Sequence, residues 1–333
     1  MSIPAVRRLC LEHDDLGFLE QAAGLLGYCS RMVQLESGAN PSRMEVVDVG
    51  SVSLVRLRFS RRTFVEGSKP AGRIFCNLTL QPVREPPRAH GVDLSPDTLV
   101  GLDAGREIYF QAPGGHRFAA LLIDAPLFWQ TATAMCRIDL DPDQLKRNSF
   151  RIAPANCFGL RQLLHAAFAV PRWPAAVQAQ TGPSLRQRLE RDLVPLLIDS
   201  IARNHSHHGL TSNRSERLLI AQAAGRVMAE RLTDPLHLCD LYQAIPTSRR
   251  TLVYAFNELF GLPPMRFLRL QRLHAARREL SRSQPDQTSI AATAHRFGFS
   301  SGSHFSRVYR QHFGESPLET LHGSQKRVGW SAS

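Results

Sequence analysis

The spacing of hydrophobic residues changes along the chain and separates a strand-rich region from helical ones. Residues 1–43 predict one amphipathic helix, near Asp14–Leu26. From Met44 to Ile123, short alternating or β-branched runs are separated by Gly and Pro clusters, which is typical of an antiparallel sheet or small barrel. The predicted strands are Glu45–Val49, Ser53–Phe59, Ile74–Val83, Thr98–Leu102, Glu107–Gln111 and Arg117–Ile123.

Beyond Ile123 apolar residues recur at helical spacing. Helices are predicted at Pro126–Met135, Asn156–Ala169 and Pro183–Arg203. The last of these carries a leucine stripe, suited either to a dimer face or to a core: Leu185, Leu189, Leu193, Leu196 and Leu197.

A polar segment without periodicity follows, and we interpret residues 205–214 as a linker. It would separate an N-terminal domain, residues 1–204, from a C-terminal domain, residues 215–325. The fold class expected is α+β, with an N-terminal sheet or small barrel accompanied by helices, followed by an all-α domain.

The C-terminal region contains an internal repeat. Each copy predicts two short helices joined by a tight turn, and the second helix ends in Phe-Gly shortly before a proline, which stops a helix. Ser248 and Ser301 are placed to cap those second helices. The matching apolar positions are Leu238, Leu241, Tyr242 and Ile245 with Ile290, Thr293, Ala294 and Phe297, and then Leu252, Phe256 and Phe260 with Phe305, Tyr309 and Phe313.

The two copies are two helix-turn-helix units. Pro264–Arg282 contains no helix breaker and predicts one long helix that joins them rigidly. Ser215–Arg231 predicts a further helix before the first unit.

Charge strengthens the functional contrast between the two parts. The chain carries 41 Lys and Arg against 29 Asp and Glu, a net charge of +12. Residues 1–213 hold 24 basic and 20 acidic side chains, whereas residues 214–333 hold 17 and 9. An excess of this kind suits nucleic acid or an anionic membrane surface, and its concentration in the repeat favours a polyanionic partner there.

In a helix-turn-helix the second helix enters the major groove with its N-terminal residues against base edges. We predict base contacts for Arg250 and Arg307 and phosphate contacts for Arg249 and Arg310, because the arginine fork suits both guanine edges and phosphates. The leading turns carry no acidic residue. The candidate DNA-binding residues are Ser248, Arg249, Arg250, Val253, Tyr254 and Asn257 in the first unit, and Ser301, Gly302, Ser303, His304, Arg307 and Arg310 in the second.

This region resembles the DNA-binding domain of the AraC/XylS family of bacterial transcriptional regulators, within it the branch containing the ethanolamine-utilisation regulator. The resemblance rests on SRRTLVYAFNELFGLPPMRFLRLQRLHAARREL and IAATAHRFGFSSGSHFSRVYRQHFGESP, and it covers Leu236–Pro317 and the preceding helix. It implies a seven-helix domain whose recognition helices enter successive major grooves on one face of double-stranded DNA. It places base reading on Arg250, Val253 and Tyr254, and on Gly302, Ser303, His304 and Arg307.

The resemblance also implies an N-terminal domain that binds an unknown small-molecule effector, forms a homodimer, or does both, with RNA polymerase as a further partner. Sheet residues of the N-terminal region would either line such a pocket or form ordinary core, and core is the commoner role of aromatic residues in a sheet. These residues are Phe75, His90, Arg106, Tyr109, Phe110, His116 and Phe118.

No enzyme, metal site or cofactor is expected. The chain lacks the GxGxxG, Walker A and HExxH motifs. A DNA-repair methyltransferase fused to such a DNA-binding domain would need a zinc-holding cysteine cluster, whereas Cys10 and Cys29 are isolated. The histidine pair formed by His90 and His116 matches no compact ligand motif, and a solvated linker tolerates its histidines, which are His205, His207 and His208.

Membrane insertion is not expected either, because the longest apolar stretch, Phe118–Trp129, is interrupted by Asp124 and Pro126. The start of the chain lacks an apolar signal region, and six scattered cysteines suit reduced thiols, so we expect a cytoplasmic protein. The hypothesis is a sequence-specific, effector-responsive transcriptional activator. The alternative is a ligand-independent architectural protein whose N-terminal domain only mediates interaction.

Overall fold

The computed structural model describes residues 6–81, 84–135, 140–169, 185–203, 212–286 and 288–323. Residues 205–211 of the predicted linker lie outside these ranges, and the helix that follows begins at Ser212. No helix among the described residues is both long enough and apolar enough to cross a bilayer.

The described N-terminal residues form two antiparallel sheets. The strands are β1 Arg7–His13, β2 Cys29–Gln34, β3 Ser42–Asp48, β4 Val52–Arg58, β5 Thr63–Ser68, β6 Arg73–Thr79, β7 Arg88–Ala89, β8 Val92–Asp93, β9 Thr98–Val100, β10 Ile108–Ala112, β11 Arg117–Asp124 and β12 Ser149–Arg151. The large sheet has the order β1-β3-β4-β11-β6-β9-β12, and the small sheet has the order β2-β5-β10-β7-β8.

The expected α+β class is confirmed, but the two sheets do not close into a barrel. Residues 1–43, where only a helix was expected, supply the edge strand β1 and the edge strand β2. The pairing of strands depends on contacts between residues far apart in sequence, which a local alternation of apolar and polar residues does not specify.

The described N-terminal helices are α1 Leu16–Gly24, α2 Ala125–Ala134, α3 Pro142–Leu145, α4 Pro154–Ala169 and α5 Val194–Ala202, the last preceded by a π-helical turn at Leu189–Leu193. The leucine stripe belongs to the core: Leu185, Leu189, Leu193 and Leu197 are buried with residues of α2 and α4.

The large sheet is apolar on both faces because successive strand residues point to opposite sides. Val46, Val55 and Ala120 lie in register and pack towards the small sheet. Their neighbours, which include Val47 and Leu54, pack against the helices. Each face therefore supports a separate core.

The described C-terminal residues form seven helices, the number that the family resemblance implies. They are α6 Ser212–Glu230, α7 Leu238–Ala244, α8 Arg249–Phe260, α9 Pro264–Leu280, α10 Ile290–Arg296, α11 Gly302–Phe313 and α12 Pro317–His322. The long helix α9 contacts α6, α8, α10 and α12, and so joins the two helix-turn-helix units.

The small sheet is also covered on both faces. Met32, Val65 and Phe110 point into the space between the sheets, whereas Val33 and Phe64 belong to the core of the C-terminal domain. The ring centroid of Phe64 lies 4.8 Å from that of Phe260 and 5.8 Å from that of Phe267. The N-terminal sheet and the helical domain thus share one hydrophobic core.

Buried polar contacts reinforce this shared core. Arg278 of α9 donates to Glu20 of α1, with Nε 2.8 Å from Oε2, and to the carbonyl of Met32 at 3.0 Å. Arg277, whose side chain is only 2% exposed, donates to Glu315 at 2.6 Å. A guanidinium is tolerated in such a place only when it is paired and hydrogen-bonded.

Two buried histidines lie at the same boundary. Nε2 of His274 accepts a hydrogen bond from the backbone N–H of Gln34, at 2.9 Å. Burial lowers the pKa of His274 well below its usual range and lowers the pKa of His312 to about 4. Both rings are therefore neutral in the folded protein at pH 7.

We expect the free energy of unfolding to fall as the pH drops below 6.5. The unfolded chain then takes up protons that His274 and His312 exclude, which costs at most about 1.4 kcal/mol per pH unit for each histidine. Glu66, whose pKa burial raises to about 6, offsets part of this loss below pH 6 because its folded form binds the proton more tightly. Denaturant titrations at several pH values between 7.5 and 5 measure the slope of the free energy of unfolding against pH.

His312→Gln should reduce the slope of the free energy of unfolding against pH by the contribution of one histidine. His322→Gln, at an exposed position, should leave that slope unchanged. Burial lowers the pKa of His90 to about 3 and that of His116 to about 4. These two histidines add the same amount to the slope in the unsubstituted protein and in both variants. An unchanged slope in His312→Gln would contradict the neutral, buried state of this ring.

Candidate nucleic-acid interface

The first recognition helix, α8, begins and ends at the residues that the sequence predicted. The Ser248 side chain accepts a hydrogen bond from the Thr251 N–H, at 3.1 Å, and so caps the helix as predicted. Gly261 ends it in the left-handed conformation, with φ of 69°. The apolar stripe of Leu252, Phe256 and Phe260 is buried, so the opposite side of α8 faces outward.

The second recognition helix, α11, is built in the same way. Ser301 accepts from the His304 N–H at 3.2 Å, and Gly314 ends the helix with φ of 82°. The inward stripe is again buried and consists of Phe305, Tyr309 and Phe313. The repeat in the sequence is therefore a repeat in structure.

Most of the candidate residues are exposed, and neither helix has an acidic residue in its first turn. Val253, Gly302 and His304 are half-buried. The exposed candidates are Ser248, Arg249, Arg250, Tyr254 and Asn257 on the first unit and Ser301, Ser303, Arg307 and Arg310 on the second.

Three candidates of the first unit lie together in a groove between α8 and α6. Arg250, Tyr254 and Asn257 line it. The Arg250 guanidinium lies 5.5 Å from the ring centroid of Tyr254, which is 55% exposed. On the same groove Arg217 donates to Glu258 at 2.7 Å, so this carboxylate is already compensated. Glu216 also lines the groove, so its two arginines and two glutamates balance in charge.

His304 has a partner that the sequence did not indicate. Its Nε2 accepts a hydrogen bond from Nη2 of Arg269, at 3.1 Å, which orients the ring towards the long helix. Arg269 and Arg266 are both exposed on α9, and their spacing of three residues along one helix would have signalled a shared face. They add positive charge beside the second recognition helix.

The N-terminal domain holds the C-terminal ends of both recognition helices, whose last carbonyls have no partner within the helix. Nε2 of Gln111, on β10, donates to the carbonyl of Phe260 at 3.2 Å. The N–H of Gly38 and the side chain of Gln34 donate to the carbonyl of His312, at 2.9 and 3.1 Å. Sequence reasoning missed these contacts, because Gln34 and Gln111 lie in a region that it treated as separate.

The pocket candidates of the N-terminal domain divide into two groups. Phe75, Phe110 and Phe118 line a cavity between the two sheets. Tyr109 instead packs in the C-terminal core, and His116 stacks on Phe118 with its Nε2 3.2 Å from Oγ1 of Thr79. Neither His90 nor Arg106 lines this cavity.

No group of three or more potential metal ligands occurs among the residues that the structure describes. His205, His207 and His208 lie outside those residues. The described cysteines, which include Cys10 and Cys29 at exposed positions, are free thiols.

Comparison with known proteins agrees with this geometry. Residues 241–323 match the family model described as a helix-turn-helix domain. The chain is 34% identical over 87 residues to a probable thc operon regulatory protein of Rhodococcus erythropolis, over 26% of each chain. It is 28% identical over 150 residues to the HTH-type transcriptional activator RhaS of Escherichia coli strain SE11, over 45% of this chain and 52% of the relative.

The chain thus spans about a quarter to a half of the length of these curated relatives. Among solved structures, an AraC-type transcriptional regulator from Chromobacterium violaceum is 29% identical, over 34% of this chain and 99% of that one, with a TM-score of 0.32. The C-terminal part of the chain is a helix-turn-helix domain. It is of the AraC type, as its sequence motifs indicate.

Arg250→Ala and Arg307→Ala should each weaken binding to a preferred DNA site by about 1–3 kcal/mol and relax its sequence preference. Arg249→Ala and Arg310→Ala should weaken binding equally on all sequences, because phosphates carry no base identity. Fluorescence anisotropy on a site selected from random DNA, and on a scrambled duplex, separates the two effects. Arg147→Ala, an exposed arginine in the N-terminal domain, is the matched control. Equal losses on both duplexes would reassign Arg250 and Arg307 to phosphate contact.

Proposed function

We propose that the protein is a sequence-specific transcriptional regulator, and specifically an activator that binds promoter or operator DNA as a homodimer and responds to a small-molecule effector. Its domains would be residues 1–204 and 215–325, with 205–214 as linker, and RNA polymerase would be a further partner. The observation that carries the DNA-binding part is the pair of capped helices, α8 and α11, with acid-free first turns and exposed basic and polar side chains. That RhaS is named an activator supports the direction of regulation.

The DNA-binding residues that we propose are the twelve candidates of the two recognition helices. Arg250 and Arg307 would read base edges, and Arg249 and Arg310 would bind phosphates. The full set is Ser248, Arg249, Arg250, Val253, Tyr254, Asn257, Ser301, Gly302, Ser303, His304, Arg307 and Arg310.

A footprint on DNA selected by the full chain should show protection over about two helical turns per protomer, on one face of the duplex, since each unit would occupy one major groove. The double variant Arg250→Ala, Arg307→Ala serves as control and should lose the footprint at the same protein concentration. A chain that binds no fragment more tightly than random DNA would refute sequence-specific regulation.

The cavity between the sheets supports the effector part of the proposal. It has a volume of about 50 Å³ and walls that are almost entirely apolar. Three buried polar atoms that line it have no hydrogen-bond partner: Oη of Tyr28, Oγ of Ser30 and Oδ1 of Asn77. An unpaired buried polar group costs about 1–3 kcal/mol. A small, mainly apolar molecule with one polar end would fill the space and satisfy these atoms.

The small sheet connects this cavity to the DNA-binding domain. On β2, Ser30 and Met32 line the cavity, whereas Gln34 reaches His312 at the end of α11. On β10, Phe110 lines the cavity, whereas Gln111 reaches the end of α8. Because neighbouring residues of one strand move together, a molecule that shifts these strands would shift the supports of both recognition helices.

Thermal-shift measurements on the full chain with small amines, amino acids and aromatic acids test this effector site. A ligand that binds the folded state raises the apparent stability. Asn77→Leu should abolish the response without lowering the melting temperature of the unliganded protein, because it removes an unpaired polar group from an apolar wall. Asn156→Leu, on α4 and outside the cavity, should keep the response. No response across a broad panel would favour the ligand-independent architectural protein.

A further inference from the structure

A row of arginines crosses the large sheet on the face that the helices cover. The strand register places Arg43 directly opposite Arg58, and Arg58 directly opposite Arg117. Successive residues alternate between the two faces, so this row lies on the same face as Val47 and Leu54, beyond the apolar residues that α4 covers. Like charges directly opposite each other destabilise a sheet.

Acidic residues compensate only one end of this row. Glu45 pairs with Arg43 at 2.5 Å and also with Arg56. Glu12, on β1, lies opposite Arg43. These two carboxylates therefore balance Arg43 and Arg56.

Arg58 and Arg117, in contrast, form no ion pair with any residue that the structure describes. The segments outside the described ranges contain one acidic side chain, Asp139, and the long segment 170–184 contains none. The adjacent guanidinium groups of Arg58 and Arg117 thus carry an uncompensated charge of about +2.

These side chains surround a recess of about 220 Å³ rather than a flat surface. The sheet forms its floor, and His165 of α4 contributes to its wall. The ring of Phe168, also on α4, lies 4.6 Å from the Arg56 guanidinium and holds that side chain in place. The residues that line the recess are Arg43, Glu45, Arg56, Arg58, Leu80, Gln81, Arg117 and His165.

We propose that this recess binds a small dianion, either a phosphate group or a dicarboxylate. Guanidinium groups bind both by paired, charge-assisted hydrogen bonds. A charge of minus two matches the two uncompensated arginines and removes the repulsion across β3, β4 and β11. Both sheets lie between the recess and the DNA-binding domain, so the recess is separate from the DNA surface and from the effector cavity. This site goes beyond the proposed function and does not depend on it.

The direct test is a thermal-shift titration of the full chain with sodium phosphate and, separately, with succinate, at constant ionic strength set with sodium chloride. Either anion should raise the melting temperature by about 2–4 °C at about five times its dissociation constant. A response to phosphate alone identifies phosphate compounds as the ligand class, and a response to succinate alone identifies dicarboxylates. No response to either anion beyond that of chloride overturns the proposal.

Variants locate the response in the recess. Arg58→Glu places a carboxylate between Arg43 and Arg117, so it should raise the melting temperature without added anion and abolish the shift with phosphate or succinate. Arg147→Glu, at an exposed position on the same domain, should keep the shift. Arg250→Ala combined with Arg307→Ala should keep it as well, which separates this site from phosphate binding by the recognition helices. Retention of the shift in Arg58→Glu overturns the proposal, as does its loss in the Arg250, Arg307 double variant.

Discussion

The packing of the small sheet against the C-terminal helices is the interaction on which the rest of the structure depends. Phe64 and Tyr109 belong to the small sheet, but their side chains pack in the same core as Phe260 and Phe267 of the C-terminal domain. Around this apolar contact, Arg277 and Arg278 of α9 bind groups of the N-terminal domain or of the chain after α11. The two domains therefore share buried surface, and separating them would expose apolar side chains and leave charged groups unpaired.

This packing contact fixes the position of the two recognition helices. Each ends at a glycine, and each has a terminal carbonyl bound by a glutamine side chain of the small sheet, Gln111 for α8 and Gln34 for α11. The same strands also line the cavity between the sheets, through Met32 of β2 and Phe110 of β10. Since a strand presents alternate residues to its two sides, one element serves both the cavity and the DNA-binding domain.

Local patterns predicted the C-terminal domain well because its determinants are close together in sequence. Ser248 and Ser301 cap the helices they precede, and Gly261 and Gly314 end the helices they follow. In the N-terminal domain the aromatic residues of the predicted strands were identified, but their roles were not. Phe110 and Tyr109 are neighbours in sequence, yet one lines the cavity and the other packs on the C-terminal domain.

The sequence by itself determined the two helix-turn-helix units, their caps, their buried stripes and the outward set of basic and polar side chains, since helical period and turn chemistry act within a few residues. Only the tertiary structure decided how the strands pair, that Arg43, Arg58 and Arg117 lie side by side, and that Arg269 meets His304. These contacts join residues that are distant in the chain. They follow from the burial of apolar faces, and the local sequence patterns are compatible with several arrangements of the strands. In the folded protein, one arrangement buries both faces of both sheets together with the inner side of the DNA-binding domain.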